Sequence, residues 1–265
     1  MRIAGSTDLK KFGEPVILTT PQDYEEGVKV FAETVANICG SDEPRRIIVG
    51  LPGILSEDRH SLFKAPHLRH WEGKDIKRDL EDKLNTTVYL ENDSALVGLG
   101  EAHFGAGQEF PILAYITVST GVGGVRIVDG EIEKSKYGFE PGHHIIELGG
   151  ETRELEDLVS GAAVGQKYGK PPYEITDEKV WNDLAKILAK GLYNVVLDWS
   201  PDVIVLGGSM FNDVGIKVPT VIKYLNEVNT TYPSMPIIKK AELGDLGGLY
   251  GGMAYLANLQ PTTYL

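Results

Sequence analysis

Residues 112–124 read Ile-Leu-Ala-Tyr-Ile-Thr-Val-Ser-Thr-Gly-Val-Gly-Gly. The first half, Ile112–Thr117, is a nearly continuous apolar run, which is typical of a strand buried on both faces. The second half, Ser119–Gly124, is rich in glycine, which lets a backbone approach a ligand and aim successive N–H groups at an anion. A plain turn is the commoner meaning of such a segment, and no Gly-Lys-Ser/Thr follows to make it a Walker loop. The stretch predicts a buried strand followed by a turn or an anion-binding hairpin.

Strands and helices alternate on both sides of this stretch. Asp129-Gly130, the favoured dipeptide of a tight hairpin, separates the extended segments Val125–Val128 and Glu131–Ile132. Further strands are expected at Arg46–Gly50, Thr87–Leu90, Val203–Leu206 and Ile237–Leu243, and helices over Asp75–Leu84, Ala95–His103, Leu155–Tyr168, Lys179–Trp199 and Gly248–Leu259, with one more opening at Gly207-Gly208. Strands alternating with helices predict an α/β fold.

The first predicted helix begins near Thr20-Pro21-Gln22-Asp23, with a cap residue, a proline at the first position and an acid in the first turn. Its apolar positions recur at spacings of three and four, which places them on one face: Tyr24, Val28, Phe31, Val35 and Ile38. Gly40 is expected to end the helix. Two short extended segments, Arg2–Ser6 and Pro15–Thr19, precede it.

Composition excludes several classes of protein. The formal net charge of −12 argues against nucleic acid as a partner, since a nucleic-acid binder usually carries a basic face. Cys39 is the only cysteine, so one chain has neither a disulfide framework nor a cysteine-rich zinc site. No apolar run reaches the ~18 residues of a membrane span, and the N-terminus does not resemble a signal peptide. We expect a cytoplasmic protein with no membrane partner.

Polar residues suited to a ligand site occur in three places. Asn92-Asp93 follows a strand, where Asp93 is able to accept a proton from an attacking hydroxyl, although from these two residues alone a helix cap is the commoner explanation. Glu140-Pro141-Gly142-His143 joins a carboxylate to an imidazole in a turn, and Glu156 begins a helix. Taken singly, each is more often a solvated charge. A metal site at His143 and His144 is disfavoured, because adjacent histidines point in different directions and no cysteine is near.

The order of these motifs resembles the ROK family (repressors, open reading frames, kinases) from about Thr20 to the C-terminus. The segments that carry the resemblance are Ala65-Pro66-His67-Leu68 with Trp71, Glu91-Asn92-Asp93, Gly100–Gly107, Ser119–Gly124, Asp129-Gly130, Glu140–His143, Leu155–Gly161, Val205–Gly208, and Leu243-Gly244-Asp245 with Gly247-Gly248.

The resemblance implies a two-lobed, actin-like (ribonuclease H-like) α/β fold, with an N-terminal lobe over residues 1–108 and a C-terminal lobe over 109–265. It implies that Asp93 is the catalytic base for transfer of a phosphoryl group from Mg²⁺-ATP to a sugar. The implied sugar-binding residues are Gly53, Asn92, Asp93, Glu140, His143 and Glu156. The implied ATP-binding residues are Thr120, Gly121, Gly123, Gly207 and Gly208. A homodimer is the implied assembly.

The chain departs from the family in two ways. Many members carry a cysteine-rich zinc site after the His, whereas Ile145–Arg153 is expected to be a short loop and contains no cysteine. We therefore expect no zinc, and the His143 ring must be held in another way.

The second departure concerns the family's opening strand and its Asp-x-Gly-Gly-Thr phosphate loop, which have no counterpart here, because Arg2–Phe12 resembles the family's second strand. A truncation, a misassigned start codon and a true deletion each explain this. We expect the incomplete N-terminal sheet to close up, to recruit Met1–Ser6, or to borrow a strand.

Three functions compete. The first is ATP-dependent phosphorylation of a hexose or an N-acetylhexosamine, impaired in this chain because one of two phosphate hairpins is missing. The second is sugar binding without catalysis. The third, a sugar-responsive repressor, is disfavoured because the family's repressors carry an N-terminal helix-turn-helix that this sequence lacks.

Overall fold

The structure is a computed structural model that describes residues 1–259. The strands are β1 Arg2–Ile3, β2 Val16–Ile17, β3 Arg46–Leu51, β4 Ile54–Leu55, β5 Leu62–Lys64, β6 Thr87–Asn92, β7 Ile112–Val118, β8 Val122–Val128, β9 Glu131–Ile132, β10 Ile145–Leu148, β11 Glu151–Glu154, β12 Val203–Gly207 and β13 Ile237–Lys240. The α-helices are α1 Tyr24–Cys39, α2 Ile76–Leu84, α3 Asp93–Phe104, α4 Glu156–Val159, α5 Gly161–Tyr168, α6 Glu178–Trp199, α7 Val218–Val228 and α8 Gly247–Asn258. None of the described helices is both long enough and apolar enough to cross a membrane.

The chain forms two compact units. Among the described residues, the first contains Met1–Gly100, Lys134–Gly138 and residues 245–259, and the second contains Glu101–Glu133 and Phe139–Gly244. Helix α8 therefore belongs to the first unit although it follows the second in sequence, because it packs on β3. The lobes expected from the sequence, 1–108 and 109–265, place α8 with the second half of the chain and do not include its packing in the first unit.

In the first unit the strands stay in separate pairs. Strand β3 is parallel to β6, with Arg46 opposite Thr87 and Leu51 opposite Asn92, and within residues 1–259 it has no other strand partner. Arg2–Ile3 pairs with Val16–Ile17 instead of joining β3. Of the three outcomes expected for the incomplete sheet, the described residues show neither closure nor recruitment of Met1–Ser6.

The cap of helix α1 lies three residues after the predicted one. The cap is Asp23, whose Oδ1 accepts a hydrogen bond from Glu26 N at 2.9 Å, so Thr20 and Pro21 lie outside the helix. Gly40 ends the helix with a positive φ of 65°, as predicted. Tyr24, Val28 and Val35 are buried, and Tyr24 and Val28 pack with Trp71 in the core of this unit.

The second unit is built on a five-stranded sheet in the order β13-β12-β7-β8-β9. Strand β12 is parallel to both β7 and β13, and it is buried along its whole length, which explains its unbroken apolar sequence. The β8–β9 turn has positive φ at Asp129 (50°) and Gly130 (77°), as the dipeptide predicted. Helix α6 covers the sheet with a buried stripe that includes Leu184, Leu188 and Val195.

Three predicted elements of this unit differ from the structure. The helix expected over Leu155–Tyr168 is two helices, because Ser160 has an extended backbone and its hydroxyl caps α5 at Ala163 N (3.2 Å). After Gly208 the chain makes only a single 3₁₀ turn, Ser209–Phe211, before α7. The segment Ile145–Arg153, which we expected to be a loop, is most of the β10–β11 hairpin.

Candidate functional site

Asn92-Asp93 joins β6 to α3, and the two side chains have different tasks. Asn92 Oδ1 accepts from Ala95 N at 3.0 Å, so Asn92 acts as the helix cap that the sequence left open as an alternative. Its Nδ2 donates to Gly53 O at 3.0 Å. Gly53 has φ of 101°, and a Cβ there would lie 2.3 Å from Lys64 O, so only glycine fits. Asn92 thereby ties the strand end to the Gly53 turn.

Asp93 is the first residue of α3 and keeps an exposed side. Ser94 N and Ser94 Oγ donate to its Oδ1 at 2.7 and 3.3 Å, and no hydrogen bond within residues 1–259 uses Oδ2. Desolvation by surrounding protein atoms raises the pKa of Asp93, and the hydrogen bonds from Ser94 oppose this only in part. A carboxyl group with one open oxygen and a raised pKa is suited to accept a proton from a ligand.

A partly buried ion pair that sequence reasoning missed supports this strand end. Glu91, only 6% exposed, accepts from the Arg59 guanidinium and from Asn92 N (2.8 Å). Arg59 has a positive φ of 59°, which is uncommon for a residue with a side chain. The signal in the sequence was a glutamate directly after a buried apolar strand.

In the second unit, the glycine-rich turn leaves two backbone donors available. Ser119 N donates to Gly121 O at 2.8 Å, and Val122 N donates to Glu156 Oε2 at 2.6 Å. Within the part of the chain that is described, the N–H groups of Thr120 and Gly121 donate to no protein acceptor, and Thr120 is exposed. Two neighbouring free N–H groups beside a hydroxyl fit a phosphate oxygen. Gly123 lies in β8 opposite Thr117 and contributes through the strand pairing.

Gly207 and Gly208 lie beside this turn because β12 is parallel to β7, with Gly207 opposite Thr117. A Cβ on Gly208, whose φ is 96°, would lie 2.3 Å from Val118 O, and one on Gly207 would lie 2.4 Å from the Tyr115 hydroxyl. Ser119 Oγ and Ser209 Oγ are 3.1 Å apart. The predicted ATP-binding glycines of the two strands thus meet at one edge of the sheet.

Glu156, predicted to bind sugar, also contacts the predicted phosphate turn. Its Oε2 accepts from Val122 N, and a Cβ on Gly121 would lie 2.4 Å from the same oxygen. Glu156 therefore leaves Oε1 for a ligand, and its position is fixed by the turn. Sequence spacing gave no sign of this contact, because 34 residues separate the two groups.

His143 and Glu140 flank the same region of the second unit. The 3₁₀ turn Pro141–His143 packs closely on β8, since a Cβ on Gly142 would lie 2.3 Å from Val122 O. His143 Nδ1 is 2.6 Å from Glu154 Oε2, and this hydrogen bond is the largest cause of a raised pKa of His143, with smaller contributions from the charges of Glu154, Glu140 and Glu156. His144 points elsewhere, toward Asp198 at 3.8 Å, as expected for adjacent histidines.

The predicted site residues thus form one group in each unit. Gly53, Asn92 and Asp93 meet in the first, while the second brings together the glycines, Thr120, Glu140, His143 and Glu156. The expectation that both groups line one cleft stays a prediction. Residues 1–259 contain no cluster of three or more His, Cys, Asp or Glu side chains suited to a metal ion.

Comparisons with known proteins agree with the resemblance. Residues 7–259 match the ROK family. The chain is 25% identical to N-acetyl-D-glucosamine kinase of Haemophilus influenzae, over 93% of this chain and 92% of that protein. It is 26% identical to glucokinase of Thermotoga maritima, over 57% of this chain but only half (50%) of the relative's length.

Solved structures give the same result. The ROK hexokinase from Thermus thermophilus superimposes with a TM-score of 0.81 at 26% identity, covering 97% of this chain and 95% of that one. The family is not uniform in function, because relatives of this chain also include proteins named as xylose repressors. With the family matched over nearly the whole chain and the fold of a ROK hexokinase matched in three dimensions, this chain belongs to the ROK family.

Proposed function

We propose that this protein binds a hexose or an N-acetylhexosamine and transfers to it a phosphoryl group from ATP. The observation that carries the proposal is Asp93, a carboxyl group at a strand end with a raised pKa and an open Oδ2. A sugar hydroxyl bound against Oδ2 would give its proton to Asp93 as its oxygen attacks the terminal phosphate of ATP. The bond from that phosphate to ADP breaks, and the products are ADP and a sugar phosphate.

The other residues act by position. Asn92 fixes the strand end through Gly53, and its second Nδ2 hydrogen remains for a ligand oxygen. Glu140, His143 and Glu156 supply the acceptors and donors that each sugar hydroxyl needs once it leaves water. The free N–H groups of Thr120 and Gly121 would hold phosphate oxygens, and Gly207 and Gly208 would lie against the nucleotide.

Magnesium would neutralise charge on the phosphates during transfer. At such sites the ion is usually held by one or two carboxylates together with substrate phosphates and water. We assign it no protein ligand.

Slow turnover is expected because transfer depends on donors placed before reaction, and residues 1–259 provide one glycine-rich phosphate turn. The test is a coupled ADP-release assay with a panel of hexoses and N-acetylhexosamines, run on this chain and on a version extended upstream of Met1. We expect weak turnover in this chain, and a rise in the extended version would mean that upstream residues supply the second phosphate loop. Asp93→Asn should abolish turnover in both, whereas Asp82→Asn, an exposed change on α2, should not.

Sugar binding without catalysis remains the second candidate, because the predicted sugar residues are all present whereas the phosphate-binding residues belong to one turn. Calorimetric binding of a sugar, with no ADP release in either version of the chain, would favour it. Release of ADP that is unchanged in Asp93→Asn would contradict the assignment of the base.

A further inference from the structure

The β10–β11 hairpin carries Glu154 back to His143. Ile145 lies opposite Glu154 in the antiparallel register, and Leu155 N continues the pairing by donating to His144 O at 2.9 Å. The turn of the hairpin is Gly149-Gly150, with positive φ at both residues (65° and 87°), which suits a two-residue reversal. This register brings the Glu154 carboxylate within 2.6 Å of His143 Nδ1.

The hairpin has little other means of stability. Ile146 is its only buried residue, and the remaining side chains are exposed or, like Glu154, half-buried. An isolated two-stranded hairpin is only marginally stable in water. Among the described residues, its contacts with the rest of the unit are Ile146 in the core, the backbone beside His144, a long hydrogen bond from Arg153 Nη2 to Asp157 O (3.5 Å), and the Glu154–His143 pair.

A carboxylate beside Nδ1 determines whether Nε2 of the same ring is a hydrogen-bond donor or acceptor. An ionised Glu154 accepts only, so it keeps a proton on Nδ1 in both charge states of the imidazole. Nε2 is then an acceptor when the ring is neutral and a donor when it is charged. Within residues 1–259, Nε2 of His143 makes no hydrogen bond to protein, and the side chain is 45% exposed, so this nitrogen is open to a ligand.

We infer that Glu154 is the positioning residue of His143: it fixes the ring and its Nδ1–H tautomer and so presents Nε2 to a sugar hydroxyl. The hydroxyl in this inference rests on the proposed function, whereas the tautomer does not. The inference also explains how the His143 ring is held although the segment after it contains no cysteine for a zinc site. The charges that face the ring are Glu154, Glu140 and Glu156, all negative.

The first arm of the test is nuclear magnetic resonance of the full chain with isotope-labelled histidine. In the unchanged protein we expect His143 to keep its Nδ1 proton across its titration. In Glu154→Gln the ring should populate both tautomers, because an amide is able to accept from or donate to Nδ1, and its pKa should fall. Glu151→Gln, an exposed change on the same strand, should leave the ring unchanged. A protonated Nε2 in neutral His143 of the unchanged protein overturns the inference without any variant.

The second arm measures binding of glucose and of N-acetylglucosamine by calorimetry. For whichever of the two sugars binds, Glu154→Gln should lower the affinity by about tenfold, which is the free energy of about one hydrogen bond to a charged group. Glu151→Gln should leave the affinity unchanged. Glu154→Asp, which keeps the charge but is shorter, should fall between them. An altered ring with unchanged affinity would overturn the sugar contact. If the unchanged protein binds neither sugar, the proposed function fails, while the ring measurement still decides the role of Glu154.

Discussion

At the residue scale, Asp93 illustrates a conflict between function and stability. Its raised pKa means that the folded state prefers the protonated carboxyl, so the ionised form costs folding free energy at every pH above the ordinary value. We expect Asp93→Asn to raise the thermal unfolding midpoint at neutral pH. The gain should vanish as the pH falls below the usual carboxyl range, where Asp93 is protonated in both states. Calorimetry at both pH values measures this, and a lower midpoint for the variant at neutral pH would show that the desolvation argument is wrong.

Gly121 lies in the proposed phosphate turn and also packs closely against Glu156. Adding a Cβ would bring it to 2.4 Å from Glu156 Oε2, so Gly121→Ala must displace the carboxylate that accepts from Val122 N. We expect a loss of about 1–3 kcal/mol in the free energy of unfolding, together with weaker sugar binding. Gly165→Ala is the control, because its Cβ would have only an ordinary contact with Lys170 O at 3.7 Å and would favour helix α5. Equal unfolding free energies for both variants would contradict the close contact.

At the element scale, a comparison of β3 with β12 measures how accessible the unpaired edge of β3 is to solvent. Both are short apolar parallel strands, but β12 lies between two neighbours, whereas within residues 1–259 β3 pairs only with β6. Ile47, Ile48 and Val49 are accordingly half-buried, while β12 is buried throughout. We expect alternate amides of β3 to exchange with solvent at least ~100-fold faster than those of β12. Uniform protection along β3 would mean that its second edge is covered in solution.

The β10–β11 hairpin carries the second prediction at this scale. Its sequence has no cysteine, and Glu154 rather than a metal-bound side chain contacts His143. Elemental analysis of the purified protein should find no stoichiometric zinc, and treatment with a chelator should leave sugar binding unchanged. One zinc per chain would point to a His, Glu or Asp site that the described residues do not reveal.

At the scale of the whole molecule, the two predicted groups must act together for catalysis. Asp93 belongs to the first unit, and the predicted phosphate turn with His143 and Glu156 belongs to the second. We expect ATP and sugar each to raise the thermal unfolding midpoint, and the two together to raise it by more than the sum, because in the proposed transfer the sugar hydroxyl and the terminal phosphate of ATP must bind next to each other. Strictly additive shifts would indicate independent sites.

The homodimer stays a prediction, for which light scattering is the direct measurement.

The sequence by itself determined the α/β class, the bounds of six of the thirteen described strands to within two residues, the Asp129-Gly130 hairpin, and the family to which the chain belongs. These follow from local rules, since apolar runs, turn dipeptides and the order of motifs are all written along the chain. The sequence also named Asn92 and Asp93, although it left the choice between cap and ligand open. The structure shows that Asn92 is a cap, whereas Asp93 keeps an open oxygen.

Only the tertiary structure decided the contacts that depend on distant parts of the chain. Glu156 meets Val122 across 34 residues, Arg59 meets Glu91 across 32, and α8 returns to the first unit after the whole of the second. The Glu154–His143 contact spans only 11 residues, yet it required the register of a hairpin that had been expected to be a loop. Sequence spacing predicts which residues share a face of one element, but which faces and chain ends meet is fixed by packing the whole chain, because burial energy is gained only once the elements come together.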